Sequence, residues 1–206
     1  MITPEESASL LSKPRRERAD ATRNRIAILA ATNALIEEGI DHVTMQAVAD
    51  KAGVGVGTLY RRFGDRRGLL LAVLSEAEEK FQTKFLQGPA PLGPGEDGAA
   101  GYGPQSRIEA FLHALLDHTI VDLDLRIAVD RAAGRTADPY LTWRHHVLVL
   151  VQELGEEIAP SPDYWADYLL AGLSPNLVRD QLGRGETASD LHEGLQSVLD
   201  RLLSLT

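Results

Sequence analysis

Apolar side chains recur along this chain at steps of three and four, and nowhere alternate singly over the length a half-buried strand needs. Ile28, Ala31 and Leu35 open the pattern and predict a first helix over residues 20–38, closed by Gly39. Thr44 is a natural cap for a second helix that stops at Gly53, and a short third follows over 56–62. Leu69, Leu70, Val73 and Leu74 give a fourth helix, from Arg66 to about residue 86, its apolar face. Six glycines and four prolines in residues 88–104 then interrupt the helical pattern, which predicts a flexible surface loop inside a helical body. Ile108, Phe111, Leu112, Leu115 and Leu116 mark a fifth helix over 106–122, and a shorter sixth covers 125–133. Asp138-Pro139 and Ser161-Pro162 each place proline just after a capping residue, starting a seventh helix to about 158 and an eighth to about 182, kinked at Pro175. In a ninth, beginning at Thr187, Leu191, Leu195, Val198, Leu202 and Leu205 form a narrow apolar seam. About nine helices and no strand make an all-α chain.

Residues 44–63 carry the most specific signal. Ala49 is small enough to let two helices cross steeply, and Gly53, four residues later, tolerates the backbone turn that leaves the first of them. Val54 and Leu59 anchor the second helix back onto the first beside Val48. This is the pattern of a helix-turn-helix, the unit that lays a short helix in the DNA major groove.

Charge sharpens that reading. The net charge is −9, which by itself argues against a polyanionic partner. Its distribution reverses the argument: residues 13–70 carry a balance of +4 and residues 71–206 a balance of −11. A basic reader on an acidic body can still bind phosphate, because charges more than about 8–10 Å away are screened at physiological salt. The chain has no cysteine, which excludes disulfides and thiolate metal sites. Its longest apolar runs are far too short for a bilayer, and its first residues lack a secretory apolar core, so a cytoplasmic protein without membrane contact is expected.

Ile28-Leu-Ala-Ala31, Glu38-Gly39, Thr44, Val48-Ala49, Ala52-Gly53-Val54, Gly57-Thr-Leu-Tyr60, Phe63 and Leu69-Leu70 together resemble the tetracycline-repressor (TetR) family of bacterial regulators. The resemblance covers residues 20–74; beyond them it extends only to helix number and length. It implies a flexible basic arm at 1–19, a three-helix DNA-binding domain at 20–66, and a helical effector-binding and dimerisation domain at 67–206. It further implies a homodimer, joined through its two C-terminal helices, that binds a palindromic operator in double-stranded DNA and releases it when a small organic effector enters. A repressor is the expected role. An activator, or a helix-turn-helix that docks protein without an effector, would share the same reader. Two positions depart from the family: Gly55 replaces the usual serine before the reading helix, and Arg66 stands for the usual lysine opening the fourth.

DNA contacts are expected along the first turn and outer face of the third helix, from Gly55, Val56, Gly57, Thr58, Tyr60 and Arg61. Thr44 and Arg66 are candidate phosphate ligands, and Arg15 and Arg16 a candidate minor-groove arm. In the body, Phe111, Leu115, His118, Tyr140, Trp143, His146, Leu150 and Trp165 are candidate walls of an effector cavity. His113, Asp117, His118 and Asp122 make two i, i+4 pairs but lack a third ligand at a recognisable spacing, so no metal is expected. No phosphate loop, nucleophile elbow or catalytic carboxylate pair is legible, and neither a cofactor nor an enzymatic activity is expected.

Overall fold

The computed structural model describes residues 4–95, 101–130 and 138–203, and within these the side chains from Asp20 on, except those of residues 130 and 138. Among the described residues the chain is all-helical: ten α-helices, one 3-10 turn and no strand. It divides into two compact units, Met1–Val73 and Leu74–Thr206. The division falls inside α4 (Arg66–Gln87) rather than at its start, and the first turns of α4 bury Leu69, Leu70 and Val73.

The first unit begins with α1 (Pro4–Glu38), followed by the 3-10 turn Ile40–His42, α2 (Met45–Ala52) and α3 (Val56–Phe63). α1 starts well before the expected residue 20, so the backbone of the expected arm is helical from Pro4. No glycine precedes Gly39 and Pro14 is the only strong breaker after Pro4, which lets the helix run on. The side chains of Arg15 and Arg16 lie outside those described. Ile28, Leu29, Ala31 and Leu35 of α1 are buried, as are Met45, Val48 and Ala49 of α2 and Leu59 of α3.

The second unit contains the rest of α4, α5 (Pro104–Val121), α6 (Leu123–Asp130), α7 (Asp138–Glu153), α8 (Pro162–Ala171), α9 (Pro175–Gly183) and α10 (Ala188–Leu203). α5 is the central element, packed on α6, α7, α9 and α10, with α8 on α7. Phe81, Phe85, Ile108, Phe111, Leu112, Leu115, Leu116, Val147, Leu150 and Leu199 belong to one continuous core. Among the described residues, no helix is long and apolar enough to cross a membrane.

Several boundaries differ from expectation. Pro175 breaks the expected eighth helix rather than kinking it. It sits just inside α9, with Ser174 extended at φ −64°, ψ 139°, because a residue before proline is pushed out of the helical region. α7 ends at Glu153, where Leu154 and Gly155 donate back to the carbonyls of Val151 and Gln152. The first half of the glycine- and proline-rich stretch folds back on itself, Gly95 N–H donating to the Gly88 carbonyl, and Leu92 packs on the core. The seam of α10 also shifts: Leu191, Leu199 and Leu203 are buried within the chain, Leu195 and Leu202 are half-buried, and Val198 is exposed. Leu205 lies outside the described residues.

Candidate nucleic-acid interface

The turn between α2 and α3 is built by local chemistry. Thr44, extended at φ −114°, accepts the Ala47 N–H on its hydroxyl at 3.1 Å and so caps α2. At the far end Gly53 adopts φ 67°, ψ 34°, a left-handed conformation that costs glycine nothing. Val54 N–H then donates to the Ala49 carbonyl and Gly53 N–H to the Asp50 carbonyl, which closes the helix end. Gly55 precedes α3 in extended conformation, caps without a side chain, and accepts the Thr58 N–H on its carbonyl at 2.8 Å.

This turn sets the face that α3 presents. Leu59 is fully buried, while Val56, Thr58 and Phe63 are half-buried. Gly57, Tyr60 and Arg61 are exposed, Tyr60 at 52%. A Cβ at Gly57 would meet no atom within 4 Å, so the space over that backbone is open to a partner. The open ridge is therefore Gly57-Thr58 followed by Tyr60-Arg61, one turn apart on the same side.

Cations beside the ridge have different duties. Arg66, expected at phosphate, donates through Nε to the Val43 carbonyl at 2.6 Å and through Nη2 to the Ile40 carbonyl at 2.7 Å. It thereby ties the start of α4 to the 3-10 turn that precedes Thr44. Arg67 beside it is exposed. Arg62 is likewise engaged, donating to the Ala21 carbonyl at 2.7 Å, and Arg25 lies over the Phe63 ring at 6.0 Å. Lys51 pairs with Glu38 at 2.7 Å, and its ammonium holds the Glu38 carboxyl below the ordinary range. Gly68 was not anticipated as a determinant. A Cβ there would stand 2.0 Å from the Phe63 carbonyl oxygen, so the α3–α4 turn admits no side chain. Its sequence signal was a glycine two residues into an otherwise favourable helix start.

In the second unit the expected cavity residues separate. Phe111, His118, Trp143 and His146 gather around Phe81 and Phe85, two rings the sequence reading had not selected. Phe81 stacks on His118 at 4.4 Å, and His146 lies 4.7 Å from both Phe85 and Phe111. Leu115 and Leu150 are core, and Trp165 packs against it half-buried. Tyr140 turns away to the surface, where its hydroxyl donates to Asp167 at 2.8 Å.

A buried polar cluster adjoins these rings. Glu78 and Arg126 are 3% and 5% exposed, with Arg126 Nη2 2.6 Å from Glu78 Oε1 and the guanidinium 5.3 Å above the Trp143 ring. His118 Nε2 stands 3.2 Å from the same carboxylate oxygen. These groups are close without hydrogen-bond alignment, and both Glu78 oxygens, Arg126 Nε and Trp143 Nε1 have no hydrogen-bond partner. Burial, together with the nearby Arg107 charge, pushes the His146 imidazole down to about 4. The quartet of His113, Asp117, His118 and Asp122 splits: the first two turn to His192, the last two to each other and Glu78. Among the described residues no group of three such side chains is placed to hold a metal.

Residues 27–73 match the family model for bacterial regulatory proteins of the tetR family. Two HTH-type transcriptional regulators of Staphylococcus aureus, SAB2452 (strain bovine RF122 / ET3-1) and SAUSA300_2515 (strain USA300), are each 38% identical over 71 residues. The match covers 34% of this chain and 38% of theirs, so the chain spans less than two-fifths of the length of these relatives. Among solved structures, one from Rhodococcus sp. assigned to the TetR family of transcriptional regulators superposes with TM-score 0.59 at 21% identity, covering 88% of this chain and 99% of that one. A second, from Rhodococcus sp. RHA1 and assigned as a transcriptional regulator, gives TM-score 0.62 at 17% identity, covering 89% and 96%. At such identities the likeness is one of fold.

Proposed function

Residues 27–73 are a helix-turn-helix segment of the tetR family of bacterial regulatory proteins, and from that premise we propose that the whole chain is a homodimeric, effector-responsive repressor of transcription. The observation that carries the reading is the exposed ridge on α3. Gly57 lets backbone approach the groove floor, Thr58 and Arg61 reach base edges or phosphate, and Tyr60 reaches phosphate with its hydroxyl. Val56 meets a thymine methyl, and Gly55 and the free amides of the first turn sit at the positive end of the helix. Thr44 caps α2 and still has its hydroxyl proton to donate to phosphate. Arg66 acts by holding the turn in front of Thr44, and exposed Arg67 is free to serve as the phosphate ligand in its place.

A second copy is supported by apolar surface on the last helices. Tyr164 and Tyr168 stack on α8 at 70% and 54% exposure, and Leu177 on α9 and Val198 on α10 are also exposed. Arg144 of α7 holds α8 in place through Asp163 and Asp167. Two readers then fit successive major grooves when their spacing is about 34–36 Å.

The effector reading is supported by the rings around Phe81 and by the poorly paired polar groups of Glu78, Arg126 and Trp143 beside them. Buried polar atoms without partners are rare in native proteins, and a ligand offering both a donor and an acceptor would satisfy several at once. Glu78 lies on α4, the helix whose first turns complete the reader, so a ligand that draws Arg126 from Glu78 acts on the element shared by both units. It releases operator only by binding the non-operator conformation better; about 5.5 kcal/mol of preference moves 1:99 to 99:1.

The test is selection of duplexes from a random library, followed by anisotropy titrations over a range of salt. Inverted repeats and an affinity that falls steeply with salt, by a log–log slope of about −0.9 per phosphate neutralised, are expected. No binding to any duplex at low salt, or binding indifferent to salt, would refute the reading.

A further inference from the structure

His113 of α5 and His192 of α10 meet with Nδ1 facing Nδ1 at 2.7 Å and their rings within 13° of parallel. Both outer nitrogens are also engaged. His192 Nε2 is 2.8 Å from Asp117 Oδ1, and His113 Nε2 is 2.8 Å from Gln196 Oε1. Gln196 is oriented by its other end, where Nε2 donates to Asp200 Oδ1 at 2.7 Å. The five side chains, from Asp117 to Asp200, form one chain of hydrogen bonds between two helices that pack on each other.

With Gln196 Oε1 toward His113, proton counting favours one charge state for this arrangement. A carboxylate and an amide oxygen stand at its ends, and both only accept, so each ring must donate through Nε2. The central contact needs one more N–H, because two bare ring nitrogens at that distance would oppose lone pair to lone pair. Three protons on two imidazoles is one more than two neutral rings carry. Two protons leave a bond unmade, and four set N–H against N–H. Turning the Gln196 amide over would serve a neutral pair, but it would aim Oε1 at the Asp200 carboxylate.

The charges hydrogen-bonded to the pair are Asp117 on α5 and, through Gln196, Asp200 on α10. The other elements packed on α5 hold charges in pairs of their own. Arg107 is with Glu153 of α7, Arg144 of α7 with Asp163 and Asp167, Arg179 with Asp180 on α9, and Arg126 of α6 with Glu78. Nothing in these pairings supplies a second donor to the relay.

We propose that His113 and His192 share a single proton as a latch fastening α10 to α5, which holds best with one positive charge on the pair and loosens when that proton leaves or a second arrives. Linkage gives the sign on each side. Beyond the one proton each neutral ring carries, the unfolded chain binds two at these rings in acid and none in alkali, while the latched state binds one. Stability therefore rises with pH on the acid side and falls with pH on the alkaline side. The alkaline limb separates the latch from His146, whose burial acts only on the acid side.

The first test is nitrogen-15 spectroscopy of the ring nitrogens of His113 and His192 at pH 7.5, where about nine-tenths of free imidazole is neutral. Three protonated nitrogens across the two rings are expected; two would overturn the proposal. The second compares denaturant unfolding of the wild type and Gln196→Leu between pH 6.5 and pH 8.5. Removing the amide oxygen leaves a pair that two protons satisfy. The wild-type ratio of folded to unfolded chain should fall at least about tenfold further than that of Q196L over this range. Equal declines in the two proteins would sink the latch.

Discussion

The two units use polar side chains in opposite ways. In Met1–Val73 the side chains that frame the reader serve the backbone: Thr44 caps, Arg66 and Arg62 hold carbonyls, and Tyr60 and Arg61 are left exposed along α3. In Leu74–Thr206 charge is taken inside, and Glu78 and Arg126 meet beside His118 among aromatic rings with few aligned partners. A reader needs a fixed frame and a wet face, which local capping provides. A body that must respond needs interior groups whose pairing can change, and close but unaligned charges are such groups.

The sharpest break to this contrast comes from Glu78. Glu78→Ala strands the Arg126 guanidinium in the core and should destabilise the body by about 3–5 kcal/mol. Replacing both as Glu78→Leu with Arg126→Met should recover most of that loss in chemical denaturation. A double variant as unstable as E78A would mean that the pair is a true stabiliser and not a responsive site.

Acid is the next largest lever. His146 is held neutral by burial, so the unfolded chain protonates it below about pH 6.5 while the folded chain resists until about pH 4. Its depressed value makes the stability full above pH 6.5 and draws it down as pH falls toward 4, by on the order of 2–3 kcal/mol. His146→Leu should flatten this part of the pH profile; an unaltered acid limb would place its cause elsewhere.

Arg66→Met tests the reader's frame. It removes two charge-assisted bonds to the carbonyls of Ile40 and Val43 and should cost about 1.5–3 kcal/mol. If Arg66 acts through position, operator affinity should fall while the salt slope stays the same; a slope reduced by about one would identify it as a phosphate ligand instead. The smallest effect separates fold from recognition. Gly57→Ala meets no neighbour and should stabilise α3 by up to about 1 kcal/mol, yet weaken DNA binding. Unchanged DNA affinity would show that backbone at Gly57 does not approach the groove.

The same contrast governs what the sequence made legible. Thr44, Ala49, Gly53 and Leu59 act within twenty residues, so turn chemistry and spacing were enough to read the first unit. Arg66 could be seen as a cation at a helix start, but the carbonyls it meets are exposed by a 3-10 turn more than twenty residues earlier. Glu78 left a signal that passed unread: it occupies the row Leu74, Glu78, Phe81, Phe85, a carboxylate on an otherwise apolar helical face. His192 left none, because its partner His113 lies 79 residues away and only packing brings them together. Pro175 was read as a kink where the combination with Ser174 made a full stop.

Trp143, under the Arg126 guanidinium, has one further consequence. It and Trp165 are the two tryptophans of the chain, and both fall after Val73, whereas the described side chains of the earlier unit include a single phenol, Tyr60. Ultraviolet emission excited at the indole band thus reports on one half of the molecule alone. Melting followed by that glow and melting followed by peptide dichroism will coincide only if both halves come apart together.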